Sequence, residues 1–82
     1  ASIRAEARGL AEGLRAEADR RADRVMAEAG DPVARVAAGA VAERIREEGD
    51  KRASALVQEA DRRADDLVAE ARRRADEMLK GG

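Results

Sequence analysis

Carboxylates spaced four residues apart are the side chains of this sequence best placed to do chemistry together. Asp19 and Asp23 form one such pair, and Asp61 and Asp65 form another. Residues four apart share a helix face, so each pair offers two oxygen ligands to a hard cation whose other ligands come from a second helix. Arginines flank both pairs, and their positive charge disfavours the binding of a metal cation beside them. We therefore predict no metal site.

The other reactive groups lack the partners that catalysis requires. Asp65 and Asp66 are adjacent, as are Glu47 and Glu48. Adjacent residues point about 100° apart on a helix, so neither pair forms a shared acid–base site. The 82-residue chain contains no His and no Cys, so Ser54 has no base to activate it and no zinc site can form. We predict no catalytic residue, no cofactor and no enzymatic activity.

Charge is dense but balanced, since 17 basic and 18 acidic residues leave a net charge of −1. The most basic segment, 72–74, is a run of three arginines surrounded by Glu70, Asp76 and Glu77. Without aromatic rings, the chain also lacks the stacking platforms that bind single-stranded nucleic acid. We expect no nucleic-acid partner. No run of about 18 apolar residues occurs, so we expect no membrane span.

An eleven-residue repeat indicates the elements that carry these side chains. Segment 58–68 reads QEADRRADDLV and segment 69–79 reads AEARRRADEML, with six identities. Segment 16–26 reads AEADRRADRVM and matches 58–68 at seven positions. The repeat consists of strong helix formers, and β-branched residues never alternate with polar ones. The sequence therefore predicts an all-α fold of long amphipathic helices.

Small and apolar residues recur in this repeat at spacings of four, four and three. One stripe comprises Ala7, Ala11, Leu14, Ala18, Ala22, Val25 and Ala29, and the second comprises Ala60, Ala64, Leu67, Ala71, Ala75 and Met78. Eleven residues in three turns is about 3.67 residues per turn, so paired helices run nearly straight or wind right-handed. Met26, Val68 and Leu79 widen the stripes, which favours more than one neighbour per helix. We predict an interface between chains that comprises Ala7, Leu14, Ala18, Ala22, Val25, Ala29, Val36, Leu56, Ala60, Ala64, Leu67, Ala71 and Met78.

The segment Gly30-Asp31-Pro32 is the strongest signal for a helix break. Gly suits the left-handed position after a helix end, Asp is a good N-cap, and Pro is favoured at the first helical position. We predict a first helix over about 3–29 and a second over about 32–80, within a single module spanning 1–82. A hairpin of these helices leaves the second half of the longer helix uncovered.

The phase of the repeat permits an alternative to this turn. The spacing runs on through Ala29, Val33 and Val36, as it would in a kinked continuous helix. The two EADRRAD segments are 42 residues apart, two short of four elevens, so we expect 37–53 to absorb the difference. We interpret Gly49 as part of a helix interior.

Units such as AEARRRADEML and AEADRRADRVM resemble bacterial alanine-rich hendecad coiled coils. They are similar to segments of the ATP-synthase peripheral stalk and to the tails of bacterial envelope proteins. The similarity covers about 5–37 and 58–79. The resemblance implies long helices that associate with copies of themselves and serve as rigid spacers or tethers.

The chain has 15 large aliphatic residues, which are few for a stable monomer of this length, so we expect a helical homo-oligomer. A tetramer is favoured, because a wide stripe gives each helix two neighbours, and a dimer is next. The expected function is a structural oligomerisation module acting as a spacer or tether. One alternative is a LEA-like protectant or lipid-surface helix that is ordered only on dehydration or membrane binding. Another is an adaptor whose stripe binds a helix of a different protein.

Overall fold

A computed structural model, which describes residues 2–81, shows two long helices packed side by side as an antiparallel hairpin. Helix α1 spans Ile3–Glu28 and helix α2 spans Pro32–Gly81, and the described residues contain no strand. The molecule extends over 76 × 19 × 7 Å. The 50 residues of α2, at about 1.5 Å each, account for the long dimension. The predicted all-α fold with two long helices and a break at 30–32 is confirmed.

Both helices begin at a polar side chain that caps the first turn. The Ala34 amide donates a hydrogen bond of 2.8 Å to Oδ1 of Asp31, and Pro32 occupies the first helical position. This is the arrangement that the Asp-Pro signal predicts, since Pro lacks the N–H that would go unsatisfied there. At the start of α1, the Ala5 amide donates to Oγ of Ser2 at 3.0 Å. Ser2 was not predicted to be a cap.

The turn between the helices differs from the predicted one in its backbone conformation. The chain leaves α1 at Ala29, which has φ −75° and ψ 112°, and the Ala29 amide donates to the Met26 carbonyl oxygen at 3.2 Å. Within residues 2–81, no glycine has a positive φ. The expectation that Gly30 is left-handed is therefore wrong, because the chain exits in the extended region, which any residue can adopt.

The core between the helices consists of small residues. The buried residues are Ala7, Ala11, Ala18 and Ala22 in α1 and Ala38, Ala42, Gly49, Ala53 and Ala60 in α2. In α1 they follow the predicted stripe. In α2 an unbroken series of buried and half-buried residues at spacings of four, four and three comprises Ala34, Ala38, Ala42, Ile45, Gly49, Ala53, Leu56, Ala60 and Ala64.

The phase of the repeat is reset at the turn and not within α2. The stripe of α1 ends at Ala29, and the series in α2 begins at Ala34, five residues later. The prediction that 37–53 absorbs the mismatch is therefore wrong, and so is the continuation of the stripe through Val33 and Val36. These two valines are 81% and 79% exposed. A turn breaks the rotational phase of a helix, so counting residues across it does not predict the next face.

The C-terminal part of α2 extends beyond α1. Ala18 faces Gly49, so the numbers of opposing residues add to about 67. In this register Ile3 lies opposite Ala64, and residues 66–81 have no opposing residue in α1. We call residues 66–81 the overhang, and at about 1.5 Å per residue it is about 24 Å long.

Candidate functional site

An arginine from α1 occupies one of the two candidate cation sites. Nε of Arg4 lies 3.1 Å from Oδ1 of Asp61, and Nη2 of Arg4 donates a hydrogen bond of 2.7 Å to Oδ1 of Asp65. One guanidinium therefore bridges both carboxylates of the pair. We call this arrangement an arginine clamp.

A second clamp of the same form involves the other carboxylate pair. Nε of Arg46 lies 3.5 Å from Oδ1 of Asp19, and Nη2 of Arg46 donates to Oδ1 of Asp23 at 3.0 Å. Among residues 2–81, no three acidic, His or Cys side chains come together in a group that could hold a metal ion. The spacing of the aspartates thus serves contact between the helices.

The two clamps are equivalent under exchange of the helices. Arg4 and Arg46 are 42 residues apart, the same offset that separates the two EADRRAD segments, 17–23 and 59–65. In an antiparallel hairpin this offset relates each α1 position to the matching position of α2. The 42-residue spacing therefore arises because α1 and α2 carry the same sequence pattern at equivalent positions of the hairpin. Neither arginine was predicted as an interface residue, although the shared 42-residue offset is a signal that could have identified both.

The clamps contribute more to register than to stability. A third pair, Nε of Arg15 with Oδ1 of Asp50 at 3.3 Å, lies on the same side of the hairpin. The clamping side chains of Arg4 and Arg46 are 45% and 46% exposed. Exposed ion pairs each contribute about 0–1 kcal/mol and are screened by salt. A parallel or shifted arrangement would separate these charges, so the pairs favour one orientation.

Ion pairs within α2 stabilise the part of the helix that leads into the overhang. Glu59 accepts from Nη2 of Arg62 at 2.8 Å and lies 3.7 Å from Nε of Arg63. The hydrogen bond from Arg62 and its charge lower the pKa of the Glu59 carboxyl. Further along, Nη2 of Arg74 lies 2.7 Å from Oε1 of Glu70. Residues three and four apart are neighbours on a helix, so these pairs support the helical state.

Gly49 marks a close approach between the helices. A Cβ atom placed on Gly49 would lie 2.5 Å from Cβ of Ala18. The Ala18 Cβ is fixed to its backbone and cannot move aside as a flexible side chain would. Gly49 is therefore required by the distance between the helices, and its interpretation as helix interior is confirmed.

Large apolar side chains are left outside this alanine core. None of the 15 large aliphatic residues, all of which lie within 2–81, is buried. The exposed ones are Ile3, Leu10, Met26, Val33, Val36, Val41, Leu67, Val68, Met78 and Leu79. The half-buried ones are Leu14, Val25, Ile45, Leu56 and Val57. The hairpin therefore leaves most of its large aliphatic residues exposed to solvent.

Part of this surface forms a groove on the side of the hairpin away from the clamps. Two adjoining clefts share Leu10 and Leu56, and Leu14 and Ile3 extend them in opposite directions. Gly9 and Gly13 line the same face, and a Cβ on either glycine would have nothing within 4 Å. We call the surface from Ile3 to Leu14, together with Leu56, the apolar groove. Ile3 and Leu10 were not predicted, although Ile3 precedes Leu14 by one eleven-residue repeat.

The structure divides the predicted interface residues into three groups. Ala7, Leu14, Ala18, Ala22, Val25, Ala29, Leu56, Ala60 and Ala64 are buried or half-buried in the hairpin. Leu67, Ala71 and Met78 lie exposed on the overhang. Val36 is exposed and lies outside the α2 series, because the turn resets the phase. Whether these residues also contact a second chain stays a prediction.

Comparison of the chain with family models, with curated proteins and with solved structures gives no match. Within residues 2–81, neither helix is long and apolar enough to cross a membrane. The geometry of the hairpin itself is therefore the basis for inferring a function.

Proposed function

We propose that this protein is a structural self-association module, a helical hairpin that acts as a spacer or tether without catalytic activity. The observation that carries the proposal is the exposure of its large aliphatic residues: ten are exposed, and no large side chain is fully buried. A stable helical chain covers such residues with another helix, and the simplest source is another copy.

The energetics of the core support this proposal. Burying an alanine methyl group contributes less than about 1 kcal/mol, whereas covering a leucine or valine contributes about 1.5–3 kcal/mol. The hairpin buries alanine methyl groups in its own core and leaves the large aliphatic side chains to be covered by a partner. Association is therefore expected to supply a major part of the stability of the folded state.

The number of copies follows from the hairpin form. A wide stripe requires each helix to have two neighbours, which is the reason for expecting four helices. Two hairpins supply four helices, so we propose a dimer of hairpins in place of a tetramer of single helices. The eleven-residue spacing supports nearly straight or right-handed packing, and the resemblance to alanine-rich hendecad proteins supports a spacer role. A rod 76 Å long suits that role.

Sedimentation equilibrium of the purified chain tests the proposal, with Leu67→Asp as the disrupting variant. Leu67 lies on the overhang and is 54% exposed, so the charge affects association more than the hairpin. We expect the unmodified chain to have a mass that is a multiple of 8.8 kDa, and the variant to shift to 8.8 kDa. Val36→Asp, at a position 79% exposed and outside the α2 series, is the matched control and should keep the higher mass.

The outcomes separate this proposal from its alternatives. A protein that sediments as an 8.8 kDa monomer and is helical in buffer would contradict self-association and favour an adaptor for a different protein. A chain that is mostly coil in buffer and becomes helical only with lipid or on drying favours the protectant or lipid-surface alternative.

A further inference from the structure

We infer that the overhang of one copy occupies the apolar groove of a second copy, and that the second copy's overhang occupies the first copy's groove in return. This inference deepens the proposed function and rests on it, because it names the surface through which two hairpins associate. The occupant of each groove is residues 66–81 of the other copy.

The apolar width of the overhang fits a site between two helices. In the paired part of α2, the position beside the alanine stripe carries the clamp residue Arg46 and, one repeat later, the half-buried Val57. Val68 and Leu79 stand two and three repeats after Arg46, so they hold the same helix position with an apolar side chain. Leu67 and Met78 stand at the opposite edge of the stripe, at the helix position that Leu56 holds in the groove, so the overhang is apolar over about 100° of its surface. A helix with one neighbour needs a narrower stripe, whereas a helix seated between α1 and α2 needs this width.

The spacing of the apolar residues matches between the two surfaces. Ile3 and Leu14 in the groove are eleven residues apart, and so are Leu67 and Met78 on the overhang. When the two α2 helices run antiparallel, a partner's overhang runs parallel to α1. Leu67 then lies near Ile3 and Met78 lies near Leu14. The same contacts form in the other direction, so a two-fold axis near the start of α1 relates the copies and the assembly closes as a dimer.

The charges that line the groove are complementary to those at the end of the overhang. The groove is lined by three acids, Glu6, Glu17 and Glu59, and one base, Arg63. The overhang as a whole, 66–81, carries four bases and four acids, and its last eleven residues, 71–81, carry all four bases and two of the acids. The groove is therefore net negative and the end of the overhang net positive, which favours their contact over contact between two overhangs.

Cysteine cross-linking between two variants tests this arrangement, because the chain has no cysteine of its own. One variant carries Gly13→Cys, in the groove at an open position, and the other carries Met78→Cys, which is 78% exposed. The two variants are mixed, unfolded, refolded together and equilibrated in a glutathione redox buffer. A disulfide requires Cα atoms within about 7 Å, so it reports direct proximity. Gly39→Cys mixed with Met78→Cys is the matched control, since Gly39 is equally open.

We expect a covalent dimer in the Gly13→Cys and Met78→Cys mixture and no dimer in either variant alone. In the inferred arrangement, two Met78→Cys sites of one dimer lie about 35 Å apart, too far for a disulfide. A dimer of Met78→Cys with itself would indicate pairing of two overhangs and overturn the inference. An equal yield from the Gly39 control would overturn it as well.

A second variant separates failure of the inference from failure of the proposed function. Gly13→Leu fills the groove, while a leucine in a helix interior favours the helix over glycine. We expect unchanged or higher helicity at high concentration and dimer affinity weaker by on the order of tenfold or more. Full affinity in this variant would overturn the groove assignment while leaving the proposed function standing. An unmodified chain that is a monomer at every concentration would overturn both.

Discussion

At the scale of single residues, Gly49 shows how closely the two helices approach each other. Glycine in a helix interior is ordinarily a cost of about 1 kcal/mol relative to alanine. Here the cost is offset because any side chain at this position meets Cβ of Ala18. Gly49 has a low helix propensity, but the packing of the two helices requires it.

The Gly49→Ala variant is expected to be less stable than the parent, although alanine is the better helix former. The added Cβ must displace the helix backbone at Ala18, and overpacking costs about 1–3 kcal/mol. Gly39→Ala is the control, since a Cβ at Gly39 meets nothing within 4 Å, and it should gain up to about 1 kcal/mol. Urea unfolding of both variants measures the difference. A gain of stability in Gly49→Ala would show that the helices are not in close contact there.

Arg46 provides a test of the clamps. Replacing it with Glu places a negative charge against Asp19 and Asp23, so we expect a loss on the order of 1 kcal/mol in the free energy of unfolding. The loss should shrink in 1 M salt, where screening acts over about 3 Å. Arg44→Glu, at an exposed position, is the matched control and should have a smaller effect. Equal effects from the two variants would rule out a specific clamp.

The ion pair of Glu59 with Arg62 predicts how helix stability changes with pH. The pKa of Glu59 is below its ordinary value of 4.5, so folding favours the charged carboxylate. Its contribution is fully present above that ordinary value and is lost as the pH falls through the lower pKa of the folded state. In Glu59→Gln this loss should be absent, so the stability gap between parent and variant narrows below about pH 4.5. A gap that is constant from pH 7 to pH 2, measured by circular dichroism and urea unfolding, would contradict the assignment.

At the scale of the elements, the cap at Asp31 determines where α2 begins. Its carboxylate accepts the Ala34 amide and stands next to the positive end of the helix dipole. We expect Asp31→Ala to lower the free energy of unfolding by about 0.5–2 kcal/mol, and Asp31→Ser to retain most of it. Thermal melts of the two variants at one protein concentration compare them. An Asp31→Ala variant as stable as Asp31→Ser would show that the capping bond is not needed.

The sequence predicted the helices and their contact faces better than it predicted the phase across the turn and the register of α1 against α2. The eleven-residue spacing placed Ala7, Ala18 and Ala60 on the buried face because a helix has a fixed rotation per residue. That rule ends at the turn, so Val36 was assigned to the stripe although it is 79% exposed. The partners of Arg4 depend on the register of two helices, which the close approach of Ala18 and Gly49 shows directly.

At the scale of the whole molecule, the difference in length between the helices is the main feature. α1 has 26 residues and α2 has 50, so the hairpin cannot cover its own longer helix. The exposed ends of the apolar surface, the groove and the overhang, lie next to each other along the same rod. A second copy is expected to cover both, and this would link folding of the chain to association.

The measurement that tests this link most directly is a far-ultraviolet circular dichroism melt at two protein concentrations about a hundredfold apart. The account predicts a strongly helical spectrum at low temperature and a midpoint that rises with concentration, because the associated state is favoured by mass action. A helical spectrum with the same midpoint at both concentrations would contradict the account, since the hairpin would then fold without a partner.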